Sequence, residues 1–422
     1  MAEGYQVNSL SAKQIGMGHT GVAQNLGAES MFFNPGALGF MEETLDLAGS
    51  FTAIMPTAYA THNGIEYKTD MSISTPIGVH AAFAIYDNLK AGVSFYTPYG
   101  SNIDWTENWP GAVLNQSVSL KVFTIQPTVS WKIIPKLSVG LGFMVTWGGV
   151  DLNKAILSGA SFDALAGSMG LNIPAFGNTT PASINLNGNA DVTLGFNIGA
   201  MYEINSKWNV GASFRTKMNM KVGAGKASVT YANEIARAIL ESKVGLLNEA
   251  NFKASMPAPW VLSLGTAYKP IEKLTLALDA RLTGWSAYKT LDIEFLSEQL
   301  TGFNQHITKD YKNAWCFSLG GQYAVTDRCD LRLGLMIDTT PVNNQYYNPE
   351  TPGMTKIEPT CGVSFRPIKG LSIDFGFMYI HGCGKKGVTG EYDNVLTNST
   401  SKFTADYKLH SYAPALGLSY SF

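Results

Sequence analysis

Few side chains in this sequence stand at spacings that support covalent or redox chemistry. Gly16-Met17-Gly18-His19-Thr20-Gly21 matches the glycine fingerprint of dinucleotide sites, and Glu42 follows at a separation suited to a ribose contact. That fingerprint works only where a hydrophobic strand feeds the glycines and a helix follows, because the pyrophosphate rests on the helix N-terminus. Residues 1–15 are polar and hold no β-branched run, so these glycines read as close packing in a confined space. Serine, histidine and aspartate all occur, yet no Gly-x-Ser-x-Gly elbow is present. The 6 histidines are scattered, with no His-Glu-x-x-His and no paired spacing for a metal. Cys316, Cys329, Cys361 and Cys383 contain no Cys-x-x-Cys. They read as unpaired thiols, with a disulfide at Cys383 a matter for geometry. No catalytic set, cofactor or metal is expected, and the chain is not read as an enzyme.

The surrounding composition explains what such a chain is built for. Only 15% of the 422 residues are charged, against about 25% in ordinary soluble proteins. Glycines number 43 and aromatics make up 11%, while mean hydropathy is close to zero. No apolar run reaches the roughly 18 residues of a spanning helix. A membrane barrel reconciles these features, because its strands alternate lipid-facing and lumen-facing residues. A net charge of -2 gives no electrostatic case for a nucleic-acid partner. No signal peptide precedes the opening Met1-Ala2-Glu3-Gly4-Tyr5, which reads as a mature end.

Period-two alternation runs through the chain. Leu137, Val139, Leu141, Phe143, Val145 and Trp147 form one apolar face, with serine, glycine, methionine and threonine between them. Val192 to Tyr202, Leu274 to Leu282, Ile373 to Tyr379 and Leu416 to Phe422 repeat the pattern. Several segments run to ten residues or more, beyond the usual soluble strand of about 5–6 and matched to the roughly 9–11 that cross a bilayer. Trp131, Trp147, Trp208 and Trp260 sit near segment ends, as interfacial girdles require. About fourteen strands are expected, beginning near Thr44, Val79, Leu89, Ser117, Leu137, Asp191, Lys207, Trp260, Lys273, Lys312, Cys329, Lys356, Leu371 and Leu409. The fold class is an all-β, transmembrane antiparallel barrel (43–422) with a small N-terminal plug, residues 1–42, too polar to span a membrane. Turns such as Asp87-Asn88 and Pro135-Lys136 are short, whereas 153–188, 220–258 and 384–405 are long and placed outside the cell. Two of these carry apolar helical stripes: Phe162, Leu165 and Met169; and Ile235, Ile239, Leu240, Val244 and Leu247. Such stripes would dock on a core or, in outer loops, line a groove for a greasy ligand.

The order of several short tags resembles the FadL/TodX family of outer-membrane transporters of fatty acids and other hydrophobic compounds. Gly4-Tyr5-Gln6-Val7-Asn8 through Phe33-Asn34-Pro35-Gly36-Ala37-Leu38 is similar to that family's hatch and its Asn-Pro-Ala motif, with Gly36 as an extra residue. Thr97-Pro98-Tyr99-Gly100 with Trp105, the stretch Pro127 to Gly142, Gly284-Trp285-Ser286 and Thr340-Pro341-Val342 resemble further family segments. The resemblance implies a fourteen-stranded barrel plugged by a hatch, in which Phe32, Phe33, Asn34 and Pro35 meet the ligand pocket. It implies lateral diffusion: from an outer loop groove to a pocket above the hatch, then through a wall gap where the third strand kinks. Pro98-Tyr99-Gly100 is the candidate kink, since proline removes a ladder donor and glycine admits unusual dihedrals. The resemblance also places Lys154 and Lys309 where a ligand carboxylate would sit, and solvated loop lysines are the plainer reading of both.

The implied partners are a hydrophobic small molecule such as a fatty acid, outer-membrane lipid, and the barrel-assembly machinery, whose signal the final Tyr420 and Phe422 resemble. The chain is expected to act as a monomer in the bacterial outer membrane. A general porin would need an open, charged lumen, and a surface receptor or adhesin would carry more polar loops. The exact substrate stays open among fatty acids, aromatic hydrocarbons and other lipophiles.

Overall fold

A computed structural model describes residues 4–245, 249–396 and 399–422, so Leu247 of the second loop stripe lies outside the described residues. Fourteen antiparallel strands close a hydrogen-bonded ring. They are β1 Leu45–Thr52, β2 Ile77–Tyr86, β3 Leu89–Asp104, β4 Ser117–Ile134, β5 Leu137–Ala155, β6 Ala182–Asn205 and β7 Trp208–Arg215. The ring continues through β8 Val261–Ile271, β9 Leu274–Thr283, β10 Ala314–Thr326, β11 Cys329–Asp338, β12 Lys356–Phe365, β13 Leu371–Gly382 and β14 Ser399–Ser421. Pairing of β1 with β14, from Asp46↔Ser421 to Thr52↔Ala415, closes it. The expected starts fall on these strands, except that β6 and β14 begin well upstream of Asp191 and Leu409. Polar and glycine residues there hide the alternation.

Burial is inverted relative to a soluble protein. Leu333 is 70% exposed and Val192 64%, whereas Gln126, Asn197, Asp279, Arg332 and Asp374 are buried in the lumen. This is what a lipid-facing apolar band and a polar interior require. Trp131, Tyr202, Trp208, Tyr268 and Tyr323 ring the end with short turns, and Phe95, Phe123, Trp147, Phe214, Trp260 and Trp315 the other. At that second end the wall rises beyond the girdle. Met55–His62, Met218–Tyr231, Glu249–Ala258, Thr290–Phe295 and Lys385–Asn394 continue it as strands. The long connections 153–188, 220–258 and 384–405 therefore carry strand as well as the helices Gly159–Ser168 and Glu234–Val244. Cys329, Cys361 and Cys383 are free thiols.

The N-terminal segment, described from residue 4, fills the lumen and is sewn to the ring from several sides. Ala12 donates its N–H to Ser50 Oγ at 2.8 Å. Gly18 N–H reaches Thr360 Oγ1 at 3.0 Å. The amides of Gly21 and Val22 share Asp279 Oδ2 at 2.7 and 3.0 Å, and Ala28 N–H meets Asp46 at 2.7 Å. Turns in this segment leave backbone N–H groups free, and inward-facing wall side chains supply the acceptors.

Candidate functional site

Above this plug lies an apolar cavity that opens to solvent. Its walls come from β4 to β6 and from the two strands above β7 and β8: Leu120, Val122, Leu152, Leu186, Met220 and Phe252 among others. Tyr5 of the plug forms its base. The Tyr5 ring meets Trp285 edge-on at 4.6 Å between centroids and lies 6.0 Å from both Tyr99 and Tyr288. Its hydroxyl donates to the carbonyl of Pro257.

Beside Tyr5 the wall is irregular. On β3, the register with β4 steps from Tyr96↔Thr124 to Tyr99↔Val122, so Thr97 and Pro98 together oppose Phe123. That is a β-bulge, which bends a strand and strengthens its twist. Pairing of β3 with β2 ends at Gly78↔Tyr96. Beyond it, the free edge of β3 is taken by the plug: Val7 N–H donates to Pro98 O at 2.9 Å and Gly100 N–H to Tyr5 O at 2.8 Å, a bridge centred on Gln6↔Tyr99. The bulge at Thr97-Pro98 thus coincides with the end of β2–β3 pairing, and the segment from Tyr5 to Val7 takes the place of β2 beside Pro98, Tyr99 and Gly100.

A sequence model described as outer membrane protein transport protein (OMPP1/FadL/TodX) matches residues 1–422. The chain belongs to this family. Among curated proteins it is 22% identical over 418 residues to the long-chain fatty acid transport protein of Escherichia coli K12, covering 92% of this chain and 90% of that one. Among solved structures, a Pseudomonas aeruginosa FadL homologue superposes with a TM-score of 0.80 at 19% identity, covering 99% of this chain and 100% of the other. The P. putida toluene transporter TodX gives 0.74 at 16% identity, covering 98% and 99%. The protein is an outer-membrane β-barrel of a transport family, with the N-terminal hatch inside its lumen.

The expected hatch residues lie lower than the cavity. Phe32 and Phe33 pack with Val7, Leu10, Leu26 and Tyr96, with Arg215 over the Phe32 ring at 4.1 Å. Asn34 is buried; its Nδ2 donates to Val22 O at 2.6 Å and Ala200 O at 2.9 Å, while Oδ1 accepts from Gly36 N. It caps the turn Pro35–Phe40. Gly36 has a steric reason: a Cβ there would lie 2.6 Å from Ala200 Cα on β6. Phe32, Phe33, Asn34 and Pro35 are absent from the cavity lining; they anchor the hatch, and Tyr5 is the hatch residue that meets the space.

The two lysines separate. Lys309 is fully buried and ion-paired with Glu350, whose side chain reaches the cavity. Lys154 donates to Gln305 Oε1 at 2.7 Å and makes no ion pair among the described residues. It stands at the top of β5, past outward-facing Asp151 and Asn153 and above the membrane band. Burial pulls its pKa down to about 8, against the opposing pull of Asp393 and Glu350. It lines an outer vestibule of about 1570 Å³ with Ile184, Val229, Phe303 and Tyr392.

The loop stripes close on each other rather than forming an open groove. Phe162 is fully buried against Phe176 at 4.7 Å and shares a small core with Ile239 and Leu240, flanked by Leu165 and Met169. Ile235 points outward, 48% exposed. Tyr420 and Phe422 pair edge-on at 4.4 Å on the outer face of β14. The sequence reading missed Glu350 and Trp285 as site residues. Glu350 lies in an irregular loop with no period to mark it, and only the tag Gly284-Trp285-Ser286 pointed near the other.

Proposed function

We propose that the protein takes up long-chain fatty acids and similar hydrophobes by passive lateral diffusion. The carrying observation is the apolar cavity whose base, Tyr5, belongs to the same three residues that occupy the unpaired edge of β3. Ligand collects in the vestibule, sets its carboxylate near Lys154, and lays its chain in the cavity. Each methylene buried there is worth roughly 0.8 kcal/mol. Withdrawal of the Tyr5–Val7 segment then joins the cavity to the seam between β2 and β3, and the chain leaves into the membrane without meeting water. Residues 1–42 act as the hatch and 43–422 as the barrel wall. Of the two lysines, Lys154 has the unneutralised charge and is the carboxylate contact; Lys309 holds Glu350 in place. Phe162, Leu165, Met169 and Ile239 stiffen the vestibule rim, and exposed Tyr420 and Phe422 suit recognition by the barrel-assembly machinery.

The test is saturable binding of decanoate by the detergent-purified protein, beside a detergent-only control, with conductance recorded in planar bilayers. Saturable binding with negligible steady current is expected. Large steady currents without binding would establish a porin in place of this reading.

A further inference from the structure

The wall has a second seam, on the far side of the cavity from β3. Going up from the short-turn end, β6 pairs with β7 as far as Asn197↔Arg215. Pairing resumes only at Asn187↔Lys226, on the strand Met218–Tyr231. The two registers are one residue out of step. Between them the strand breaks at Thr216-Lys217, β6 bulges between Ala190 and Thr193, and the Met218–Tyr231 strand bulges between Val222 and Gly225, so the two edges do not match along this stretch. Thr216 bonds Phe196 at the lower edge. From Gly188 to Gly195, β6 makes no ladder pair on this side among the described residues.

What fills the seam is side chain. The inward positions of β6 are small: Gly188, Ala190, Thr193 and Gly195. Facing them, Met218, Met220 and Val222 are buried. A Cβ on Gly195 would lie 2.7 Å from Met218 Sδ, and one on Gly188 would lie 2.5 Å from Val222 Cγ1. The neighbours' side chains therefore lie across backbone that has none. Methionine is the most adaptable apolar side chain, and Ala190, Met220 and Val222 line the apolar cavity directly behind. On the lipid side, Val192 and Leu194 are 64% and 57% exposed. Lys217 and Lys221 are exposed just beyond Phe214, whose ring stacks at 6.2 Å on girdle residue Trp260. The seam thus presents apolar surface below and two ammonium groups above, at the height of lipid headgroups, with the exposed Asp191 carboxylate lying beside Gly223.

We infer that this β6–β7 seam is a lateral door through which a long-chain carboxylic acid already dissolved in the outer leaflet reaches the cavity, its carboxylate held at Lys217 and Lys221 while its chain passes Met218 and Met220. The inference rests on the reading of the cavity as a hydrophobe site and adds a second way in. No ladder bond has to break for it to open; the methionines change rotamer.

The test uses the full chain in proteoliposomes loaded with a diazirine-tagged palmitate, with adducts mapped by mass spectrometry. Lipid-facing residues label in any case, and Met220 and Val222 label whenever the cavity is filled, so the readout is inward Met218, which lies in the seam outside the cavity lining, with buried Met336 and Met378 elsewhere in the lumen as background. Adducts at Met218 well above that background are expected. The surface variant Lys217→Gln/Lys221→Gln should lower them about threefold, the scale of exposed charge pairs, while a diazirine-tagged alkane labels both proteins alike. Labelling at background, or confined to the vestibule or the β3 kink, overturns the door. Binding of water-borne decanoate is run in parallel: if that binds and the seam stays unlabelled, only the door falls, whereas absent decanoate binding refutes the cavity's proposed role.

Discussion

Lys154 makes the carboxylate reading testable by pH alone. It has an amide partner, Gln305, and no ion pair among the described residues, and burial sets its pKa at about 8. Lysine is charged below its pKa and neutral above it. With a midpoint near 8, about nine-tenths of the molecules carry the charge at pH 7 and about one-tenth at pH 9. If only the ammonium form holds a carboxylate, affinity for decanoate falls about tenfold across that interval, close to 1.4 kcal/mol. Decanoate stays ionised throughout, so the slope belongs to the protein. A neutral alkane of equal length should bind with no slope. Lys154→Met should bind decanoate at pH 7 at least as weakly as the parent does at pH 9, and with a flat profile. Isothermal titration at pH 7, 8 and 9 reads this directly. A flat parent profile, or a slope that survives Lys154→Met, would show that the charge read by the ligand is elsewhere.

Three further outcomes follow from the same geometry. Lys309→Met leaves Glu350 buried without its partner and should lower stability by about 3–5 kcal/mol, seen as a lower denaturation midpoint; unchanged stability would mean the pair is solvated. Tyr5→Phe removes the bond to the Pro257 carbonyl, worth about 1 kcal/mol; delivery of fatty acid into cells should quicken several-fold with decanoate affinity unchanged, and slower delivery would reverse the gating role. Deleting Pro98 leaves Thr97 alone opposite Phe123, so the β3–β4 ladder should run without a bulge. Uptake should then fall at least tenfold while purified protein still binds decanoate, and intact uptake would locate the exit elsewhere.

The barrel was legible because its pattern is physical. Strands with lipid on one face and a polar lumen on the other alternate cleanly, and Leu137 to Trp147 announces itself. Where the wall rises above the membrane the constraint lapses, so Ala182 to Ala190 reads as loop although it is strand. The kink was visible in Pro98 and Gly100, since those residue types act locally. Its closure was not: Val7 meets Pro98 and Tyr5 meets Gly100 across more than ninety residues, and main-chain hydrogen bonds leave no mark on residue type. Asn34 and Pro35 stood out by type, and Asn34 caps a turn and bonds Ala200, outside the cavity lining. Lys154 and Lys309 are the same residue type, and the partner Glu350, drawn from a distant loop, helps to tell them apart.

The closure of the β3 seam has a strength that a ligand can overcome. Two main-chain bonds, from Val7 to Pro98 and from Gly100 to Tyr5, contribute about 1–3 kcal/mol together. The edge contact of Tyr5 on Trp285 adds about 0.5–1.5 kcal/mol. Turning a gate from one open molecule in a hundred to ninety-nine takes roughly 5.5 kcal/mol of differential binding. Methylenes lying in the cavity itself contribute nothing to that difference, because they bind equally whether the gate is shut or open. Only those that enter the space vacated by Tyr5 count, at roughly 0.8 kcal/mol each, so about seven are needed. A ligand that ends above Tyr5 occupies the cavity and leaves the gate shut, whereas one long enough to reach past it supplies its own opening energy. On the proposed route, chain length sensed at Tyr5 then separates hydrophobes that are merely bound from those that are passed on.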